Sequence, residues 1–484
     1  MRARRGEENV LKKVPAGWGV ALLGMLGGVS SAMAEAVPPV NCATEAAVAC
    51  VQTGGVGTAW SAGFVTNVAE VTFGEVVTDR ALGLSCVSID GTVATGASPT
   101  GMVAWSKASY TATSTGTSVE LGRVSGGVHA TGVTNAYGIL AWSHGAFATN
   151  PATVRIGALD GAVSANVAPG GGTAAAVCAR TAVDVTLSSG GAVFGGTYGW
   201  DTGDGSATNA AAVLQALLSK VRARTATAAE SNALAAAASG GYAVLGGTEA
   251  DAVRFASENV AVFGAVALGG GYDTVALAGI PSGRTLRLPA VTGAELLAVT
   301  NCPDITVSNA AVFADLYVGS NALCRLKDPA YTVAGLYGRG TVVPQGALTV
   351  TNRIEVGRFG EAPVGSRLTV TGGLTLGEGV VCALRAAETN GVWTNDTVAV
   401  SGALTVVAGG TVDVGCTTNA PLALYAKRVV MTAAGGIVNP GLLATWTLEG
   451  TGRDSETKYM RTVRAEGNNV VVGVSVGGTL IRIF

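Results

Sequence analysis

A block of about 35 residues recurs through the first half of this 484-residue chain, and a recurrence of that length sharply limits the folds open to it. Gly91-Thr92-Val93-Ala94-Thr95-Gly96 leads to Gly101-Met102-Val103-Ala104-Trp105-Ser106. Gly127-Val128-His129-Ala130-Thr131-Gly132 leads in the same way to Gly138-Ile139-Leu140-Ala141-Trp142-Ser143. A weaker copy runs from Gly161-Ala162-Val163-Ser164-Ala165 to Ala176-Val177-Cys178-Ala179-Arg180, which aligns Cys178 with Trp142 and Trp105. Between copies stand Val119-Glu120-Leu121-Gly122 and Val154-Arg155-Ile156-Gly157. Each copy thus holds about three short strands with glycine at the corners. Alternation puts Val, Ala and Ile on one face and Thr, Ser, Arg and Glu on the other. One such triplet cannot bury its apolar face alone, but stacked copies can, building a one-dimensional core.

The second half has a related rhythm. Leu348-Thr349-Val350-Thr351 and Leu368-Thr369-Val370-Thr371 stand 20 residues apart, and each is followed by a second alternating segment, Ile354–Gly357 or Leu374–Gly377. Val398–Gly402, Leu404–Val406 and Thr411–Gly415 continue the pattern, punctuated by Gly and Asn as turns. The stretch 206–240 breaks it. This stretch is rich in alanine, and Leu214, Leu217, Leu218 and Val221 recur with helical period. Ser206 or Thr208 suits a helix start, and Gly240-Gly241 a stop. The expectation is an all-β fold, a parallel β-helix (β-solenoid) with a short inserted helical segment. Its blocks are residues 35–205, a helical insertion at 206–240, a second solenoid block at 241–450, and C-terminal strands or a cap at 451–484.

Composition agrees. Glycine supplies 71 residues, about twice the ordinary share of ~7%. Only 13% of residues are charged, yet 48% are hydrophobic, which excludes a disordered linker. The net charge of −2 comes without a basic patch, so nucleic acid is not an expected partner.

Residues 1–34 read as a secretory signal peptide. Arg2, Arg4, Arg5, Lys12 and Lys13 form a basic start, Trp18–Val29 a short apolar run, and Ala32-Met33-Ala34 a small-x-small cleavage site. The run is short of the ~20 residues a spanning helix needs. The expectation is an exported chain, at the cell surface, extracellular or periplasmic, with no transmembrane segment after processing. Eight cysteines then meet an oxidising space. Cys42 and Cys50 are candidates for a loop-closing disulfide. Cys302 and Cys324 are separated by about one coil and are candidates for another, or for small buried residues in a stack.

With these residues in view, the Val93–Ser106 and Val128–Ser143 blocks resemble the repeats of bacterial autotransporter passengers and haemagglutinin-like adhesins. Asn395–Leu404, with Leu424-Tyr425 and Ala433–Gly436, is similar to the terminal passenger region of that group. The resemblance implies a secreted or surface-displayed right-handed parallel β-helix, often used in adhesion. A departure stands beside it: the repeat rhythm runs to about residue 450, leaving little chain for a membrane β-barrel, and Arg482 interrupts the alternation that leads to Phe484.

Motifs for chemistry are thin. Gly203-Asp204-Gly205-Ser206 lacks the order of a passenger protease nucleophile. His129 and His144 are the only histidines, sit at outward or turn positions, and read as solvated surface residues rather than triad members or ligands. Gly269–Leu277 resembles a single calcium-binding β-roll unit, whereas calcium needs tandem units, so a bare turn is expected. Glu249 with Asp251, and Asp413 on its strand, come nearest to the paired carboxylates of a glycosidase. No catalytic, cofactor or metal residue is assigned, and no enzyme is expected. Trp60, Trp105 and Trp142 form either a surface-binding strip or core filling. The function expected is a structural or adhesive surface protein that meets a glycan or a cell-surface protein through repeated outward side chains. A carbohydrate-active enzyme, polysaccharide lyase or hydrolase, and a passive cell-envelope spacer are the alternatives.

Overall fold

The structure is a computed structural model that describes residues 47–52, 82–89, 92–94, 100–108, 117–124, 127–132, 135–145, 151–201, 207–310, 312–357, 364–390, 392–416, 422, 427–451 and 459–476. The expected signal segment, Cys42 and Trp60 lie outside the described residues.

The fold is mostly β, in long parallel sheets. In the first half the chain visits three sheets in turn. Thr117–Val124 feeds Gly127–Gly132 and then Ala136–Gly145, before Ala152–Leu159 pairs in parallel with Thr117–Val124 and starts the cycle again. Inward positions line up over many cycles. One register column runs Leu121, Ile156, Val185, Val253, Val275, Leu297, Leu316, Leu336, Ile354, Cys382, Val412 and Leu448. Every member is buried. Burying each such aliphatic side chain contributes about 1.5–3 kcal/mol, so this column and its neighbours are what hold the stack together.

The cycle shortens along the chain. His129 and Ser164, on neighbouring strands, are 35 residues apart. Asp251 and Asp273 are only 22 apart, as are Asp273 and Glu295. The sheet of Thr92–Ala94, Gly127–Gly132, Ala162–Val167 and Ala192–Gly196 ends with Ala261–Phe263, and a new parallel sheet starts at Arg284–Arg287. Near the end the cycle lengthens again, with Thr411 and Thr447, partners in register, 36 residues apart.

Two assignments from sequence are corrected by the register. Leu348–Val350 pairs with Leu374–Leu376, whereas Thr369–Val370 pairs with Thr341–Val342 on another sheet. The 20-residue spacing therefore relates strands of two different sheets, which look alike because each alternates inward Leu and Val with outward Thr. Cys178 pairs with Leu140 and not with Trp142. Trp105 and Trp142 do share a register position.

Two helices, Ala207–Arg222 and Ala228–Ala237, sit between the strands Ala192–Gly196 and Tyr242–Leu245. Leu214, Leu217 and Val221 lie in the first helix, as their period requires. Thr208 falls within its first turn. The second helix is closed by a capping box in which Thr227 and Glu230 satisfy each other's backbone amides. The first helix packs on Gly127–Gly132, Ala162–Val167 and Ala192–Gly196. Leu214, Leu217 and Leu218 seat on Ala162, Ala192 and Phe194, so both faces of that sheet are buried.

The stack finishes in an antiparallel hairpin. Lys427–Ala433 pairs with Asn469–Val476, which pairs with Tyr459–Glu466. None of the described helices is long and apolar enough to cross a membrane.

Candidate functional site

Outward positions on successive strands also stack, which turns one residue type into a column. Thr332, Thr349, Thr375 and Thr405 follow one another in register, and all are exposed or half-buried. A groove crosses the outer face of the neighbouring sheet. Its floor is the column Thr369, Ala399 and Thr432. Ala399, 4% exposed, interrupts the hydroxyls with a methyl group at the bottom of the depression and forms its notch. Arg367, Ser401 and Asn468 complete the rim of a depression of about 260 Å³. Ser401 Oγ accepts the Gly372 amide at 3.0 Å, and Asn468 Nδ2 donates to the Ala434 carbonyl at 3.4 Å, so both rim residues are anchored.

A second depression, of about 370 Å³, is lined by Thr197, Tyr198, Gly199, Asp201 and Val213. Its loop is braced from below by the fully buried Asn166. The Asn166 Oδ1 accepts the Tyr198 amide at 2.9 Å and the Trp200 indole at 3.2 Å, and its Nδ2 donates to the Tyr198 carbonyl at 2.9 Å.

His129, read from sequence as solvated, is 6% exposed. The first helix covers its face of the sheet, which the position of His129 within its own repeat does not reveal. Its Nδ1 lies 2.7 Å from Ser164 Oγ. Burial, reinforced by the Arg222 charge, pushes the imidazole down to about 4. A neutral imidazole beside a hydroxyl has the chemistry of a general base. The pair is buried beneath the helix, however, and lines neither of the two depressions described above. His144 stands in register with Lys107.

A third arrangement, missed from sequence, is a ladder of carboxylates. Asp273 Oδ1 accepts the Asp251 amide at 2.7 Å, and a Glu295 carboxylate oxygen accepts the Asp273 amide at 2.7 Å. Asp251 itself accepts amides from Val183 at 2.5 Å and Gly247 at 3.1 Å. Burial and then the nearby Asp273 charge push Asp251 up to about 6 despite these donors. Burial, with Glu295 behind it, also raises Asp273, whose Oδ2 is buried with no hydrogen-bond partner among the described residues. The 22-residue spacing of the three acids was the available signal. Asp251 and the Gly269–Leu277 turn belong to different sequence motifs, and only the register of Ala252 with Thr274 brings their acids together. Among the described residues no three His, Cys, Asp or Glu side chains are placed to hold a metal ion.

Cys302 and Cys324 carry free thiols. The Cys302 thiol donates to the Thr300 carbonyl at 3.3 Å. Cys324 fills an inward column between Ile305 and Val342, where burial pushes its thiol up to about 12. Cys50 stands in register with Cys86. Asp396 is fully buried; its carboxylate accepts the Gly365 and Ser366 amides at 3.0 and 2.8 Å and pairs with Arg385 Nε at 2.7 Å. It is a structural clamp beside the hairpin Val381–Thr389/Val392–Asn395.

Comparison with family models, curated proteins and solved structures finds no match to this chain.

Proposed function

We propose that the chain is a right-handed parallel β-solenoid, exported and displayed at a bacterial surface or released outside the cell, where it acts as a structural and adhesive protein. Repeated parallel crossovers within one sheet support the solenoid, and such crossovers are right-handed in about 98% of known cases. The resemblance of Val93–Ser106 and Val128–Ser143 to autotransporter passenger repeats supports the display, as does the three-part signal pattern of residues 1–34. The observation that carries the adhesive reading is the outward threonine column, with the polar groove on the adjoining sheet. Hydroxyls at a regular strand spacing of ~4.8 Å offer a repeating partner a repeating set of donors and acceptors. No enzyme role is proposed. The deciding experiment incubates the purified chain, residues 35–484, with a panel of polysaccharides and cell surfaces, following retention of the protein and cleavage of the polymer together. Retention without cleavage is expected. Cleavage overturns the reading in favour of a carbohydrate-active enzyme, and the absence of both retention and cleavage overturns it in favour of a passive spacer.

A further inference from the structure

We infer that the groove over Thr369, Ala399 and Thr432 takes an acidic polysaccharide, with Arg367 as the anchor for a sugar carboxylate; this rests on the adhesive reading above. The first observation is charge. Outward arginines in this stack are commonly neutralised by a carboxylate nearby: Arg254 by Asp184 at 2.6 Å, Arg325 by Asp304 at 2.7 Å, Arg353 by Glu355 at 2.9 Å, and Arg123 by Asp160. The Arg367 side chain is exposed and makes no ion pair or hydrogen bond among the described residues. Among the described residues no acidic side chain lines its groove.

The second observation is shape. Arg367 and Thr369 are two residues apart on one strand and so share a face. The floor then continues across two more strands, through Ala399 to Thr432. Strand spacing places the two threonines roughly 9–10 Å apart, a span that suits two sugar units, with the Ala399 notch receiving a ring between them. A guanidinium meets a carboxylate through two parallel hydrogen bonds, while the threonine and serine hydroxyls serve the ring hydroxyls. A polymer of uronic acids presents both groups at every repeat; a neutral glucan presents only the second.

The test uses the full chain against alginate and hyaluronan, with dextran as the neutral polymer and poly-glutamate as a carboxylate polymer without sugar rings. Acidic polysaccharides should be retained at least tenfold more strongly than dextran, with the preference fading as salt rises. Arg367→Ala should lower retention to the dextran level, and Arg367→Lys should keep part of it. Ala399→Tyr, which fills the notch, should block binding while the Arg367 guanidinium is intact. Circular dichroism melts check that each variant is folded, and Arg367 is exposed, so its replacement leaves the core untouched. If polyuronates bind and Arg367→Ala changes nothing, the groove assignment falls and the adhesive reading stands. If poly-glutamate competes as well as alginate, the saccharide assignment falls. If the wild-type chain retains none of the polymers or cell surfaces, both fall.

Discussion

Gly127 stands in a register column that continues through Ala162, Ala192 and Ala261. A β-carbon on Gly127 would lie 2.5 Å from His129 Nε2, so the imidazole occupies the space that alanine uses in the other coils. Gly127→Ala should therefore cost about 1–3 kcal/mol by overpacking. The same change combined with His129→Ser, which copies the Ala162/Ser164 pair of the next coil, should cost much less. Urea melts of the two single variants and the double variant give the coupling, and additive costs would show that the imidazole is not the obstacle. His129 also sets an acid dependence. Its folded value of about 4 lies below the ordinary 6.5, so the unfolded chain takes the proton first. The stability it preserves is complete above pH 6.5 and is lost as pH falls towards 4, by an amount on the order of 3 kcal/mol. The carboxylate ladder works in the opposite direction. Asp251 and Asp273 are raised in the fold, so the folded chain takes their protons first, and their cost appears as pH rises. For Asp251 that cost grows between its unfolded value and about 6 and is fully present above. Asp273→Asn keeps the oxygen that accepts the Asp251 amide and removes one buried charge. It should raise the thermal midpoint at pH 7 to 8 and leave it nearly unchanged at pH 4. A midpoint that falls at pH 7 would mean that the second Asp273 oxygen is better charged than neutral.

At the scale of elements, the helical pair behaves as a lid fixed to one sheet face. Leu218 is fully buried, against a surface that includes Phe194. Leu218→Ala should cost about 2–5 kcal/mol, felt locally. Hydrogen exchange should show protection lost over 207–222 and along Ala192–Gly196, with the column at Val275 and Leu297 unaffected. Loss spread evenly over all coils would contradict the lid. This element also shows what sequence can convey. The helical period at Leu214, Leu217 and Val221 was legible because it breaks an alternation of two, and the 35-residue copies were legible because Val93, Val128 and Val163 share one register. Which sheet face the helix covers was not. The outward Ala162, Ala192 and Phe194 reveal their partner only once the chain between 196 and 242 has folded back. The burial of His129 and the true partners of Leu348–Val350 escaped for related reasons: one depends on a distant element, and the other on two faces with the same local pattern. Of the groove, the threonines were legible as outward repeats, but the position of Arg367 beside Ala399 and Thr432 needs the register.

For the whole molecule, a stack of parallel strands has two ends, and an open end is a template for another strand. At the C-terminal side the last parallel strand of the sheet that starts at Arg284–Arg287, Lys427–Ala433, is closed by the antiparallel strand Asn469–Val476, and Tyr459–Glu466 adds a further strand. The hairpin is held by apolar contacts, with Val463, Val470, Val472 and Val474 all buried. It is also held by charge, since Lys427 and Arg464 meet Glu466 at 2.8 and 2.7 Å. Its surface ion pairs are worth little alone, so the valines carry most of the attachment. Replacing both Val463 and Val472 with Asp places charges where no partner awaits them and should detach the hairpin. Because neighbouring coils supply most of each coil's contacts, the rest of the stack should keep its circular dichroism and its core protection. The freed edge of Lys427–Ala433 should then pair between molecules. Sedimentation would show oligomers that grow with concentration, whereas the wild-type chain stays constant over the same range. A double variant that remains monomeric with the stack intact would show that this edge needs no cover, and the hairpin would lose its role as a stop against end-to-end assembly.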